Sequence, residues 1–375
     1  MINKIAAIIK RIPKELKYIL FLFLTTRVVL TIIGVVGKIL IHRYNNKYTV
    51  FSKNIWLNVW GAWDSGWYLR IAKEWYPKNA NLSVWNSYGF FPLYPALMKF
   101  FNFFVRDYFL AGLIISSLSF IIAAFFFYKL LRFDYDEETA LKSVKYLFLF
   151  PSAFIFSGLF NESLYFMLVI ICFYTLRREQ LFLTGVSGFF LALTKPIGVL
   201  ILVPLLFEYY RRKGLRFRPE AIFFLLIPLG TFVFSAYCYY LTRDWLAYVH
   251  SQANAWGAAA RNPFINFFQS LLPGTYISVL FPAYFTLFMI VLLLFFIKKI
   301  KFSYDLFAFY SIFFPLSCYV AFPSMFRYLL PVFPLYMIFA ILGRKKDLDT
   351  VLSIALLILQ GFLMIFWNNA FDIII

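Results

Sequence analysis

The sequence predicts an all-α polytopic membrane protein with about eleven transmembrane helices. The chain of 375 residues is 63% hydrophobic and has a mean hydropathy of +0.78, whereas soluble domains are nearer half apolar. Charged residues make up only 14% of the chain and lie between long apolar runs, which is typical of helical membrane proteins. Because no long Gly/Ser-rich linker or fixed-period repeat occurs, we expect residues 1–375 to form a single domain.

Apolar runs of roughly 17–25 residues can cross a bilayer as helices. The N-terminal stretch is basic and amphipathic but lacks a small-residue cleavage site after its apolar run, so we expect a retained first span. The predicted spans are 18–41, 108–131, 143–159, 161–176, 181–194, 196–209, 220–241, 276–297, 304–321, 327–343 and 350–367.

The positions of the basic residues predict the orientation. With a cytoplasmic N-terminus, most of the 36 Lys and Arg residues fall in cytoplasmic segments, as the positive-inside rule requires. The same rule accounts for the net charge of +19 without a nucleic-acid partner, because no basic stretch stands apart from a membrane segment. Residues 42–107 then form a long first outer loop, and we expect a multi-pass protein of the cell membrane, surrounded by lipids.

The first outer loop contains the segment WGAWDSGWYLRIAKEWY, residues 60–76. Trp and Tyr favour the headgroup level, so this segment predicts one or two helices lying on the membrane. Asp64 stands between Trp63 and Trp67, where a partly desolvated carboxylate suits a general base. Asp64 followed by Ser65 also suits a helix N-cap, and the sequence leaves both interpretations open.

Two further outer turns carry unusual residues. In GFFPLYPAL, residues 89–97, two prolines three positions apart predict either a turn into a short helix or a shaped wall for a ligand. In FNESLY, residues 160–165, Asn161 and Glu162 lie between two apolar runs. An acid near membrane depth is a candidate functional residue, although a helix cap at the interface is the alternative.

Single cations mark two more outer turns. Lys195 is the sole charge between two predicted spans and can either pair with Asp64 or Glu162 or bind a phosphate. Arg327 stands at the mouth of a span, where it suits a phosphate oxygen or can extend to the lipid headgroups. Arg27 lies inside the first span and needs a partner or a cavity, which the sequence does not identify.

The sequence predicts no metal and no cofactor. His42 and His250 are the only histidines, so a two-histidine zinc site has weak support. No acidic pair with a spacing typical of divalent-ion sites occurs in the outer loops. Cys172, Cys238 and Cys318 lie far apart in apolar runs, which does not favour a disulfide framework.

Several outer-face motifs occur in a fixed order between about residues 60 and 335. In that order they resemble the PIG-V-type mannosyltransferases of GPI-anchor synthesis and their prokaryotic relatives, which belong to the GT-C glycosyltransferases. The motifs are Trp63-Asp64 with Tyr68, Phe91-Pro92-Leu93-Tyr94-Pro95, Asn161-Glu162-Ser163, Thr194-Lys195-Pro196, Gln252 with Trp256-Gly257, and Arg327-Tyr328 followed by Pro331 and Phe333-Pro334.

The resemblance implies a GT-C-like fold, a polyprenyl-phosphate sugar donor and inverting transfer to a lipid or glycan acceptor outside the cytoplasm. It implies that Asp64 is the general base and that Glu162 orients the sugar or the base. Lys195 and Arg327 would face the departing phosphate, whose developing charge cations stabilise. The other substrate-binding residues that it implies are Trp63, Tyr68, Tyr94, Asn161, Gln252, Trp256 and Tyr328.

Two classes of function compete with an enzyme. A transporter or flippase of a lipid-linked sugar would place polar residues at the membrane midplane on broken helices, with internal repeats. Here most unusual polar residues fall in outer turns, and Arg27 is the one feature that favours a transport path. A scaffold subunit of an envelope complex would be insensitive to changes at Asp64 or Lys195.

Overall fold

The computed structural model describes residues 12–41, 48–214 and 218–374, and these form helices and no strand. His42 lies outside this part of the chain. The α-helices, numbered α1 to α17 in chain order, are Lys14–Ile41, Ile55–Asn58, Ser65–Glu74, Leu93–Val105, Tyr108–Leu131, Glu137–Leu149, Glu162–Arg177, Leu181–Ala192, Leu202–Lys213, Leu226–Thr242, Ala247–Asn254, Pro263–Ser270, Ile277–Phe296, Phe302–Leu316, Met325–Tyr328, Pro334–Leu342 and Lys346–Asn368. The 3-10 segments are Ser87–Gly89, Ala153–Ser157, Pro196–Ile201, Pro219–Leu225, Ile297–Lys299 and Tyr319–Ser324.

Five helical segments among the described residues are long and apolar enough to cross a membrane. They are α1, α5, α10 with the 3-10 turn before it, α13 with the turn after it, and α17. The apolar stretch of α5 is 56% buried, whereas those of α13 and α17 are 28% buried. Helix α5 therefore lies inside the bundle, and the open apolar faces of the others are suited to lipid. These features confirm the prediction of an all-helical fold and support that of a membrane protein.

Other predicted spans are interrupted, and their boundaries need correction. The predicted span 143–159 is divided, because Phe150 precedes Pro151 and leaves the helical conformation. The predicted span 196–209 begins as a 3-10 turn and continues as α9. The predicted span 327–343 is divided between α15 and α16, on either side of a proline-containing turn. The number of membrane crossings stays a prediction.

The first and last long helices are fastened together by buried polar groups. Lys38 of α1 has no exposed surface, and its ammonium donates to the carbonyls of Thr49 (3.0 Å) and Asn368 (2.7 Å). The side-chain amide of Asn368 donates to the carbonyl of Gly34 (3.1 Å). The cation thus lies at the C-terminus of α17, where the helix dipole favours a positive charge.

Arg27 is held by neutral partners, and no carboxylate bonds to it among the described residues. Its Nε donates to Ser157 Oγ (2.7 Å) and its Nη2 to the carbonyl of Ala153 (2.9 Å). The guanidinium also lies 4.9 Å from the ring centroid of Phe120. Arg27 therefore anchors the 3-10 turn that leads toward α7, so a transport path is not needed to explain this charge.

Replacing Arg27 with Met should lower the midpoint of thermal unfolding in detergent. The substitution leaves a buried carbonyl and hydroxyl unpaired, which costs about 1–3 kcal/mol for each group left unsatisfied. Val28→Met, at a neighbouring position that is 58% exposed, is the matched control and should leave the midpoint unchanged. Equal midpoints for the two variants would contradict the anchoring role.

Candidate active site

The unusual charges of four predicted outer turns meet at one end of the bundle. Arg327 Nη1 lies 2.6 Å from Asp64 Oδ2, and its Nε lies 3.5 Å from Glu162 Oε1. Lys195 Nζ lies 2.6 Å from the same Glu162 oxygen. The four side chains, which we call the ion cluster, form one continuous network of two acids and two cations. The structure thus brings together every charged residue predicted for the site.

Asp64 occupies the N-cap position of α3 without acting as a cap. Its side chain accepts no hydrogen bond from the first turn of the helix and instead accepts one from Arg327. The adjacent Ser65 Oγ donates to the carbonyl of Leu159 (3.3 Å), which fastens this loop to the turn before α7. The alternative that Asp64 is an ordinary cap is therefore not supported by its hydrogen bonds.

Two turns are tied together to form the other half of the cluster. Glu162 is the first residue of α7, where the helix dipole favours a carboxylate. Lys195 is extended (φ −153°, ψ 151°), as expected for a residue before Pro196. The side-chain amide of Asn161 donates to the carbonyl of Thr194 (2.7 Å). This bond holds the Glu162 and Lys195 turns in register.

Aromatic rings limit the access of water to the cluster. The Arg327 guanidinium lies 5.3 Å from the ring centroid of Phe160 and 5.5 Å from that of Tyr328. The Lys195 ammonium lies 5.5 Å from the ring centroid of Tyr165. The side chains of the cluster are between 2% and 17% exposed. In such a site, electrostatic interactions are stronger than in water.

The burial of the site changes the acidity of its cations and hydroxyls. Burial lowers the pKa of Lys195, helped by the repulsion from Arg327 and opposed by the carboxylate of Glu162. Burial also raises the pKa of Tyr68 well above its usual value, and the negative charges of Glu162 and Asp64 add to the effect. Tyr68 is therefore a neutral phenol beside the cluster.

Tyr68 and Tyr94, which were predicted to bind substrate, pack against each other beside the cluster. Tyr68 is buried and meets Tyr94 and Phe160 edge-on, with ring centroids 5.2 and 6.1 Å apart. Tyr94 is fully buried, and its hydroxyl is hydrogen-bonded to the carbonyl of Gly112 (3.0 Å) and the hydroxyl of Ser116 (2.8 Å). The Tyr94 hydroxyl is thus engaged within the protein, and a direct role in substrate binding stays a prediction.

Several buried polar atoms near the cluster lack a partner among the described residues. They are the indole N–H of Trp63, the side-chain oxygen of Asn161 and the Oε2 atom of Glu162. Trp63 has a left-handed backbone (φ 50°), and its ring stacks on Tyr48. Because buried polar groups are normally hydrogen-bonded, this concentration of unpaired atoms is consistent with a site for a polar ligand.

The fourth outer loop packs against the first. The side-chain amide of Gln252 donates to the carbonyl of Gly89 (3.2 Å). Only glycine permits this approach, since a Cβ at position 89 would lie 2.3 Å from that amide nitrogen. Trp256 meets Trp67 edge-on and stacks on Trp85, which was not among the predicted residues. The sequence offered only one signal for Trp85, which is its position in the tryptophan-rich first outer loop.

His250 is paired with an acid of its own loop. Its Nδ1 lies 2.6 Å from Asp244 Oδ2. Within the described ranges, no group of three or more His, Cys, Asp or Glu could hold a metal ion. A metal-free site stays a prediction.

An apolar groove opens between α4, α8 and α10. Leu193, two residues before Lys195, lines it. The other lining residues are Trp75, Pro92, Leu93, Ala96, Val233, Phe234 and Tyr237. Such a surface is suited to an apolar chain and not to a sugar or a phosphate.

No protein-family model and no curated protein sequence matches this chain. Among solved structures, it is similar to the Archaeoglobus fulgidus oligosaccharyltransferase tethered with an acceptor peptide containing the NVT sequon, with 11% identity, a TM-score of 0.47 and coverage of 94% of this chain and 55% of that one. It is also similar to the oligosaccharyltransferase AglB of the same organism in complex with an inhibitory peptide and a dolichol-phosphate. The identity is 12% and the TM-score 0.47, and the match covers 94% of this chain and 56% of that one. The chain spans about half the length of these proteins, and the likeness assigns it neither a family nor an activity.

Replacing Glu162 with Gln should strongly destabilise the protein. The substitution leaves Lys195 without its carboxylate in a buried site, and breaking such a pair costs about 3–5 kcal/mol. Glu74→Gln is the matched control, because Glu74 is 66% exposed in its pair with Arg70, and exposed pairs contribute about 0–1 kcal/mol. Thermal unfolding in detergent measures both variants.

A double variant tests whether the loss comes from the unpaired cation. Glu162→Gln combined with Lys195→Met should be more stable than Glu162→Gln alone, because the second substitution removes the unpaired charge. If the loss of stability in the double variant equals the sum of the losses in the two single variants, the two residues contribute independently.

Proposed function

We propose that this chain is an integral membrane glycosyltransferase, and that the sugar it transfers is mannose. It moves a sugar from a polyprenyl-phosphate donor to a lipid or glycan acceptor on the extracytoplasmic face. The observation that carries the proposal is the ion cluster, which combines two carboxylates with two cations in a site shielded by aromatic rings. Transfer from a phosphate-linked donor needs both a base and cations for the leaving phosphate.

Asp64 is the general base in this proposal. It removes the proton from an acceptor hydroxyl while that oxygen attacks the anomeric carbon of the donor sugar. The bond between the anomeric carbon and the phosphate oxygen breaks, the electron pair leaves with the polyprenyl phosphate, and the configuration inverts. In the free protein the Asp64 carboxylate accepts a hydrogen bond from Arg327, which fixes its position in the site.

Arg327 and Lys195 stabilise the departing phosphate. A guanidinium can bind two phosphate oxygens at once, whereas an ammonium acts as a compact charge. Glu162 is 2% exposed and faces both cations through one oxygen, so we assign it a positioning role. Trp63, Tyr68, Asn161 and Tyr328 surround the cluster and are proposed to contact the donor sugar and phosphate.

The lipid part of the donor has a suitable apolar surface. Leu193, two residues before Lys195 in the chain, lines the apolar groove between α4, α8 and α10, and in this proposal one donor molecule places its phosphate at the cation and its chain in the groove. The broken helices are proposed to complete eleven spans, with the N-terminus cytoplasmic. This arrangement, like the order of the outer motifs, is what a prokaryotic PIG-V-type enzyme would have.

Asp64→Asn should abolish transfer while the protein stays folded. Loss of a general base lowers the rate by about 10²–10⁴-fold. The measurement is transfer of radiolabelled mannose from polyprenyl-phosphate mannose to membrane lipid or glycan acceptors in proteoliposomes. Asp107→Asn is the matched control, because Asp107 caps α5 through Oδ1 and Asn provides the same acceptor; it should retain full activity.

The outcomes of this experiment distinguish a glycosyltransferase from a transporter of a lipid-linked sugar. Unchanged transfer in Asp64→Asn would refute the base assignment. Movement of the lipid-linked sugar across the bilayer without cleavage of the sugar–phosphate bond would instead support the transporter alternative.

Lys195→Arg should extend activity to higher pH. Burial lowers the pKa of Lys195. As the pH rises, the Lys195 ammonium therefore loses its proton, and the charge that faces the phosphate, at a lower pH than an ordinary lysine, whose pKa is about 10.4. The alkaline fall of kcat/KM should therefore move to higher pH in the Arg variant, since Arg stays charged. Lys73→Arg, at an exposed position of α3, should leave the profile unchanged. An unmoved alkaline limb in Lys195→Arg would contradict the assignment.

A further inference from the structure

The first and fourth outer loops carry a stack of aromatic rings. The indole of Trp85 lies parallel to that of Trp256, with ring centroids 5.2 Å apart and an angle of 4° between the planes. Trp256 meets Trp67 edge-on at 5.4 Å and Phe90 at 5.7 Å. The four rings, which we call the tryptophan platform, form one contiguous cluster that includes Trp67 of α3.

One face of the platform is open. Trp85 is 57% exposed although one face of its indole lies against Trp256, so the opposite face is free. A single exposed hydrophobic residue needs no explanation. An aromatic face fixed in place by a second ring is different, because it offers a flat surface of defined orientation.

Hydrogen bonds on both sides of Trp85 fix the platform. The Asn86 amide donates to the carbonyl of Val84 (2.9 Å), and the Asn86 side-chain oxygen accepts from Ser251 Oγ (2.8 Å). The Gln252 amide reaches the carbonyl of Gly89. These bonds attach the loop that carries Trp85 to helix α11, so little ordering is needed when a ligand binds.

The platform reaches the proposed base without involving the cations. The backbone N–H of Trp67 donates to the carbonyl of Asp64 (2.9 Å). No hydrogen bond, ion pair or ring contact joins the four rings to Lys195 or Arg327 within the described part of the chain. Arg327 therefore meets the Asp64 carboxylate, whereas the platform is joined to Asp64 at its backbone carbonyl through Trp67; the proposal uses this separation to keep donor and acceptor apart.

We infer that the tryptophan platform binds a sugar ring of the acceptor, which makes the acceptor a glycan or a glycolipid. The inference rests on the proposed function. One face of a pyranose carries C–H groups whose positive edge complements the negative face of an indole, while its hydroxyls need hydrogen-bond partners. In this proposal those partners come from solvent and from polar groups at the edge of the platform.

The experiment is a titration of the purified chain in lipid nanodiscs that contain no sugar-headed detergent. The probes are fluorescently labelled oligosaccharides of two to four hexose or N-acetylhexosamine units. Trp85→Leu keeps apolar bulk against Trp256 but removes the aromatic face, and Trp85→Phe keeps a smaller one. Trp56→Ala is the matched control, since Trp56 lies in the same loop and is 55% exposed but is outside the platform.

We expect at least one oligosaccharide to bind the wild type and Trp56→Ala equally well. Its Kd should rise about tenfold or more in Trp85→Leu and less in Trp85→Phe, with thermal unfolding unchanged. Equal binding by Trp85→Leu and the wild type, or no binding of any probe to the wild type, would overturn the inference. The titration requires no catalysis, so a wild type that binds an oligosaccharide but fails to transfer sugar would contradict the proposed function and leave the platform intact.

Discussion

The geometry of the site depends on one carboxylate oxygen, Oε1 of Glu162. This oxygen lies 2.6 Å from the Lys195 ammonium and 3.5 Å from Arg327 Nε, and Arg327 in turn holds Asp64. Four segments that are far apart in the sequence therefore converge on one buried anion. Without it, two cations would lie side by side in a site shielded from water, where their repulsion is strong. The position of the proposed base thus follows from the position of a residue that need not touch substrate.

The sequence predicted the members of the cluster because each stands alone in an apolar context. Lys195 and Glu162 are unusual charges between apolar runs, and charge asymmetry assigned their turns to one face. The sequence offered Asp64 or Glu162 as a partner for Lys195, and the structure pairs it with Glu162; the partners of Arg327 were not predictable, because they depend on how distant turns approach each other. Asp64 shows this limit: its local sequence suits a cap equally well, and only the proximity of Arg327 decides where its side chain bonds.

The same limit applies to the helices and to the aromatic surface. Hydropathy identified the long spans, but Pro151 and Pro196 divide or shorten others in ways that depend on local backbone geometry. Arg27 was recognised as an intramembrane charge, yet its partners are a hydroxyl and a carbonyl, which leave no compositional signal. Trp85 gains significance only because a residue from another loop stacks on it.

The packing of the first helix against the last has a consequence for the two ends of the described chain. Gly37 lies against Ile365, Gly361 lies against Ile33, and Lys38 reaches Asn368, so contacts advance along α1 and α17 together and the two helices are parallel. If both helices cross the membrane, they cross it in the same direction, which agrees with the odd number of spans predicted from the sequence. The N-terminal end of α1 and the C-terminal end of α17 therefore lie at opposite ends of the bundle, so a change near Lys14 and a change near Asn368 act on opposite ends of this helix pair.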